Sequence, residues 1–358
     1  MTTEEKLAQA LRTIADRAEN QDVLPGVLAE RRRRRRGKAK GTLAAVCAAA
    51  LGWGAVVVWP AVVVRPAPQA VVDTAGPSPT PPEGNAVERV WPHAVFTMPA
   101  RFRPLAAISA TEVLAWDERG TLEVYDATTE DSRTVAALAR APRRLAVDRE
   151  RVVWLADGQA WVAPLRAGGR ARKVGPVPGE NVDRVALAGQ DVVWSAPLDG
   201  VWRMRIDGGV PERVPGSRGL QLVEWPWATD EPLDVRTNPT KLVNLRTGSQ
   251  VEIRPASGVE GLRCGPTWCA GTREGETVVQ RSDGSRSLGY RGLRDYPYRD
   301  RFFIGSGVIF DARTRVSVTF AGARLPSGVR RWSSGAGVVS WTQDGGVRVV
   351  NLAALARS

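Results

Sequence analysis

Short strand-like segments recur about every 40 residues between Ala94 and Leu352, and few folds accommodate a repeat of that length. The clearest two copies are built around Val152-Val153-Trp154 and Val192-Val193-Trp194. In the first, Arg143 to Asp148, Arg151 to Ala156, Ala160 to Leu165 and Arg172 to Val177 read as four strands. In the second, Arg184 to Ala188, Asp191 to Ala196, Val201 to Ile206 and Pro211 to Val214 repeat them. Asp157-Gly158, Asp199-Gly200, Asp283-Gly284 and Asp344-Gly345 are type I′ hairpin signals between such runs. The repeat therefore has the length and strand count of one propeller blade.

Projecting it along the chain places second strands at Val113 to Trp116, Trp225 to Trp227, Thr267 to Cys269, Phe302 to Ile304 and Val338 to Trp341. That makes seven units. The last ends after its third strand, Val347 to Leu352, while an unassigned strand-like segment, Ala94 to Met98, precedes the first. A ring closed by pairing that segment with the last unit uses both. The expected fold is all-β, a seven-bladed β-propeller over 94–358. Six blades are the alternative, because the fourth and sixth units are irregular.

Ahead of the repeats, Arg31 to Arg36, Lys38 and Lys40 stop directly against Gly41 to Val64, 24 residues without a charge. A helix rising about 1.5 Å per residue crosses a bilayer core in roughly 20 residues, so this run is long enough to span. Basic residues mark the cytoplasmic flank, and only Arg65 follows the run before Gly84. The expected topology is a single transmembrane helix over 41–64, with residues 1–40 inside and the repeats outside. A cleaved signal peptide is the alternative. It fits less well, since its apolar core runs roughly 7 to 15 residues and ends at small residues, whereas here Pro66 and Pro68 interrupt Ala67 and Ala70.

The net charge of +12 raises nucleic acid as a partner. Residues 1–40 alone hold 11 basic and 6 acidic side chains, which leaves +7 spread thinly along the rest. Inner-leaflet anionic lipid is the nearer partner for Arg31 to Lys40, and no nucleic acid is expected. Thr2 and Glu5 have capping-box spacing ahead of Leu7, Leu11, Ile14 and Ala18, which share one helical face. This short N-terminal helix is either a docking site for a cytoplasmic protein or a plain leader. Residues 65–93 carry seven prolines and read as an extended linker.

In this order of leader, arginine run, anchor, proline-rich linker and Val-Val-Trp repeats, the chain resembles the actinobacterial single-pass membrane proteins with a WD40-like or TolB-like β-propeller ectodomain. Gly-His and Trp-Asp dipeptides do not recur once per blade, and Trp116-Asp117 stands alone. The resemblance implies an extracytoplasmic propeller and no settled activity.

Cys264 and Cys269 fall on adjacent predicted strands of a hairpin, where a disulfide fits an oxidising exterior better than free or metal-bound thiols. The one histidine, His93, precedes the first repeat, so neither a multi-histidine metal site nor a Ser-His-Asp triad is expected. No cofactor is expected either. The second-strand tryptophans Trp116, Trp154, Trp194, Trp268 and Trp341 are expected to pack between blades.

Strand direction alternates, so the loop from Ala228 to Pro239 and the stretch from Tyr290 to Asp300 are expected on one face. With the adjoining tryptophans they supply Trp225, Trp227, Asp230, Glu231, Asp234, Tyr290, Asp295, Tyr296, Tyr298 and Arg299 as the expected binding residues. Ordinary irregular turns are the alternative. A closing strand at Ala94 to Met98 would bring the linker in on the opposite face, leaving the aromatic face pointing away from the bilayer. The function expected is a non-catalytic binding or scaffolding module at the cell surface, engaging an extracytoplasmic protein or glycan. A transmembrane regulator with an anti-sigma-like cytoplasmic helix and a carboxylate-dependent envelope hydrolase or lyase are the alternatives.

Overall fold

A computed structural model describes residues 86–355, apart from 143, 180, 197–198, 231–233, 291–295, 306 and 321–331. The expected N-terminal helix, the apolar run 41–64 and most of the linker lie outside the described residues. Among those residues, no helix is long and apolar enough to cross a membrane.

Seven antiparallel sheets follow one another, as a seven-bladed β-propeller requires. Blades one to five each hold four sequential strands, over 102–137, 144–176, 184–213, 221–252 and 260–290. Blade six shows three, Phe302–Ile304, Val308–Asp311 and Val316–Thr319. Blade seven is composite: Trp332–Gly335, Val338–Gln343 and Gly346–Asn351 are completed by Val95–Pro99 from the other end of the chain. The expected closing strand is therefore present, one residue downstream of its sequence-based bounds.

One hydrogen bond fixes the order of strands within every blade. The residue after the third strand donates its N–H to a carbonyl in the turn between strands one and two, from Ala127 to Thr111, Leu165 to Glu150, Ile206 to Gln190, Leu245 to Pro226, Ser282 to Thr267, Ala312 to Arg301 and Leu352 to Gly337, at 2.8–3.0 Å. By this criterion Phe302–Ile304 is the second strand of blade six, as the repeat projects. Its first-strand position is held by the chain ending at Tyr298, which forms an isolated bridge with Phe302.

The apolar runs occupy second strands because these are covered on both sides by neighbouring blades. Trp194 is fully buried among Val153, Val162 and Met204 of blades two and three. Trp154 and Trp341 fill the corresponding spaces before blades two and seven. Trp268 departs from the expected position. It begins its strand and packs toward blade six, against Phe303 and Phe310, while Gly271 stands fourth in that strand, where blades two, three and seven carry tryptophan. Trp116 is only partly buried.

Cys264 and Cys269 face each other across the blade five hairpin and are joined by a disulfide, Cα to Cα 4.0 Å. Of the four expected type I′ turns, Asp157-Gly158 and Asp344-Gly345 have positive φ at both residues. At Asp199-Gly200 and Asp283-Gly284 only the glycine does, so those two expectations are corrected. The Asp283 carboxylate instead accepts from the Ser285 N–H and Oγ. The linker also ends earlier than residue 93. Val87–Val90 is one helical turn, and Val87 and Trp91 are buried against blades six and seven.

Trp194→Ala should lower unfolding free energy by about 3–5 kcal/mol, the usual cost of emptying a buried tryptophan site. Trp116→Ala should cost less than half as much. Denaturant unfolding of the two variants measures the difference.

Candidate functional site

Two faces follow from strand order. One carries the turns between strands one and two; the other carries the turns between strands two and three and the connections between blades. The first strands of blades two, three and four line an axial cavity of about 570 Å³. Arg144, Asp148, Asp183, Arg184, Glu224 and Arg299 supply its charges, and Trp225, Tyr296 and Tyr298 its aromatic rings. The Arg184 guanidinium lies 4.1 Å from the Tyr296 ring centroid and donates to the Val223 carbonyl at 3.3 Å, so it links three blades across the axis.

Of the residues expected from sequence, the structure gathers Trp225, Tyr296, Tyr298 and Arg299 at this cavity. The others are elsewhere. Trp227 packs against the apolar cluster between blades four and five. Asp230 accepts from the Thr240 and Lys241 N–H groups, and Asp234 from that of Arg236. Both carboxylates therefore hold their own loop. Asn238 ties that loop to blade five through Leu262 N–H and the Val259 carbonyl, at 2.9 and 2.7 Å. Tyr290 lies in the outer strand of blade five, its ring centroid 4.1 Å from that of Phe310, and burial pushes its hydroxyl up to about 12. Glu231 and Asp295 lie outside the described residues.

The expectation of one shared face is thereby corrected. The 230–240 loop and Tyr290 occupy the connection face, whereas Trp225, Tyr298 and Arg299 sit on the first-turn face. Trp225 lies there because the second strand of blade four begins at Trp227 and not at Trp225 as expected; for Tyr298 and Arg299 the reason is blade six. Arg299 and Asp300, with φ of 52° and 50°, form a tight hairpin turn, and Tyr298 and Phe302 exchange backbone hydrogen bonds around it. Nothing like Asn-Gly marks this turn in the sequence. Asp300 accepts from the Thr267 and Trp268 N–H groups, pinning the turn to the corresponding turn of blade five. Residues 86–94 come in on the same face, where Trp91 meets Phe302 edge-on with ring centroids 6.1 Å apart, which corrects the expectation that the chain enters opposite the aromatic residues.

Two features set the hairpin's position. Gly337 lies directly beneath the Tyr298 ring, with φ of 80°, and a Cβ there would collide with the Tyr298 hydroxyl. Arg301 forks onto Asp311 at 2.9 and 2.7 Å and donates to the Leu355 carbonyl at 2.8 Å. Burial works against the Asp311 charge, but hydrogen bonds from Arg301 and Thr314 outweigh it and hold the carboxyl below its ordinary value. Glu224 behaves oppositely. It keeps contact with water in the cavity, yet the protein crowded around it raises its carboxyl, and Arg299 offsets this only in part. Burial also raises the Tyr298 hydroxyl, with Glu224 adding to the effect.

Sequence reading missed Arg184 and Glu224. Glu224 adjoins Trp225 and could have been noticed there; Arg184 looked like any strand-opening arginine. The Trp225 indole N–H is buried and has no acceptor among the described residues.

No protein-family model and no curated protein matches the sequence. Among solved structures the chain is similar to the β-propeller domain of Cps50 (Swd1) from Myceliophteria thermophila, with 12% identity and a TM-score of 0.43 over 72% of this chain and 99% of that one. It is also similar to the WD40 β-propeller domain of Doa1, with 11% identity and a TM-score of 0.42 over 71% and 94%. The computationally designed Ika8 protein shows 16% identity and a TM-score of 0.39 over 71% and 98%. The ring rests on the seven sheets themselves, and these likenesses add nothing about activity.

The two carboxylates predict opposite pH behaviour. Asp311→Ala leaves the largely buried Arg301 charge without its carboxylate and should cost about 3–5 kcal/mol at neutral pH. Because the folded value of Asp311 is depressed, its contribution is present above the unfolded carboxylate range and is lost as pH falls through the folded value. Glu224 has a raised folded value, so its ionisation opposes folding once pH exceeds the unfolded range. Glu224→Gln should therefore raise the melting temperature at pH 7, with the gain vanishing in acid. Thermal unfolding across pH 3–8 measures both.

Proposed function

We propose that the chain is a membrane-anchored, non-catalytic binding module that presents the first-turn mouth of its axial cavity to an extracytoplasmic partner. The observation that carries this reading is the cavity lining: two tyrosines, a tryptophan and both signs of charge converge there. Such a mixture suits recognition, since aromatic rings supply contact area while Arg299 and Glu224 fix orientation. His93, the one residue of its type, sits exposed in the turn before the first strand rather than at the cavity. Anchoring is supported by the uncharged run 41–64 behind eight basic residues, and the disulfide suits the outer side.

A photoreactive phenylalanine analogue at position 296 should crosslink to the partner in intact cells. Adding Glu224→Ala and Arg299→Ala should abolish that product, while Asp234→Ala on the other face should leave it. An unchanged product in the double variant would remove the cavity from the reading. For the anchor, full-length chain should stay with membranes after an alkaline wash, and a chain lacking 41–64 should be released. Retention of the shortened chain would count against anchoring.

A further inference from the structure

Beside the axial cavity, on the same face, lies a hollow of about 510 Å³ between blades five and six. Among the described residues, five arginines line it, Arg281, Arg286, Arg299, Arg301 and Arg313, against one carboxylate, Asp300. Two of the arginines are held in place. Arg281 lies 5.7 Å from the Trp268 ring centroid, and Arg301 is fixed by Asp311 and lies 4.6 Å from that of Phe302. Arg286, Arg299 and Arg313 are exposed at the rim. Converging guanidinium groups repel one another, and the geometry excludes cations and gives neutral ligands nothing that uses the charge. Planar guanidinium forks match the oxygens of tetrahedral anions.

Asp300 narrows the class further. A carboxylate among arginines disfavours an anion that carries no hydrogen, such as sulfate, and favours one that retains a hydrogen it can share. Inorganic phosphate keeps such a hydrogen throughout the neutral range, and a phosphate monoester, with a second pKa of about 6, keeps it in part. We propose that this hollow binds a phosphate group, either inorganic phosphate or the monoester phosphate head of a lipid in its monoprotonated form, with Arg286, Arg299 and Arg313 donating to its oxygens and Asp300 accepting the hydrogen that this form carries. The site goes beyond the axial cavity: four of its five arginines take no part in lining that cavity.

A second arginine hollow supplies the control. It lies between blades two and three and is lined by Arg151, Arg166, Arg170 and Arg172 with Glu150. There Arg151 is already paired with Asp148 at 3.1 Å, and Arg172 donates to the Ile206 carbonyl at 2.7 Å.

Calorimetric titration of the purified full-length chain at pH 7, with sodium phosphate and with sodium sulfate at equal ionic strength, tests the proposal. Phosphate should bind and sulfate should bind at least several-fold more weakly. Arg286→Gln with Arg313→Gln, both at exposed positions and checked for an unchanged melting temperature, should weaken phosphate by about tenfold or more. Arg166→Gln with Arg170→Gln should leave it unchanged. Asp300→Asn, which keeps an acceptor for the Thr267 and Trp268 N–H groups, should erase the preference over sulfate. Dihexanoyl phosphatidic acid identifies the source: binding about tenfold tighter than phosphate assigns a lipid head, and equal or weaker binding assigns free phosphate. Absence of phosphate binding, equal binding of sulfate by the unaltered chain, or equal losses in the two arginine pairs would each overturn the proposal. The crosslink at position 296 tests the axial cavity separately, because it is read without added phosphate.

Discussion

The ring depends on one pairing, Val95–Pro99 against Gly346–Asn351, which joins the two ends of the described chain across some 250 residues of sequence. Closing a loop of that length costs only slightly more than closing a shorter one, because the entropy grows with the logarithm of length. The return is large. The added strand buries Met98, and the turns at 87–94 set Val87, Trp91 and Ala94 into the space between blades six and seven. Without it, the strand Gly346–Asn351 would present an open apolar edge. Every blade interface, and so the alignment of first strands around the axis, follows from this closure.

How much of this was legible depended on whether a residue's neighbours came from its own blade. Second strands were readable because burial on both sides demands a continuous apolar run, and Val-Val-Trp satisfies it at Val152 and Val192. The closing strand was readable as a surplus strand matched to an incomplete last unit. Blade six was only half readable. Its second strand, Phe302–Ile304, stood out, but its first-strand position is a Tyr-Pro-Tyr segment with no strand pattern. Its hairpin turn uses Arg299 and Asp300 where pattern rules look for Asn-Gly. That one ambiguity moved Tyr298 and Arg299 to the wrong face. Asp230 and Asp234 were misread for a different reason: an aspartate in a loop has the same appearance whether it awaits a partner or caps its own backbone.

What the irregular blade provides is a departure from symmetry. Six regular blades would give an axis lined by short first strands of Val, Ala and Leu. The segment from Tyr296 to Asp300 instead puts two phenol rings and a guanidinium against blades three, four and seven. It is held from three sides, by Arg184 on Tyr296, by Gly337 beneath Tyr298 and by the blade five turn on Asp300. A site built on such a braced segment is rigid enough to select a partner.

Arg299 lines both hollows, and this couples them. Its charge lowers the cost of ionising Glu224 in the axial cavity. A phosphate at the rim that draws the Arg299 guanidinium toward itself weakens that support, so Glu224 becomes harder to ionise. By linkage the effect is mutual: a partner that engages Glu224 through its own cation frees Arg299 for the anion, and one that claims Arg299 competes with it. The sign of the coupling thus reports which of the two charges the partner reads.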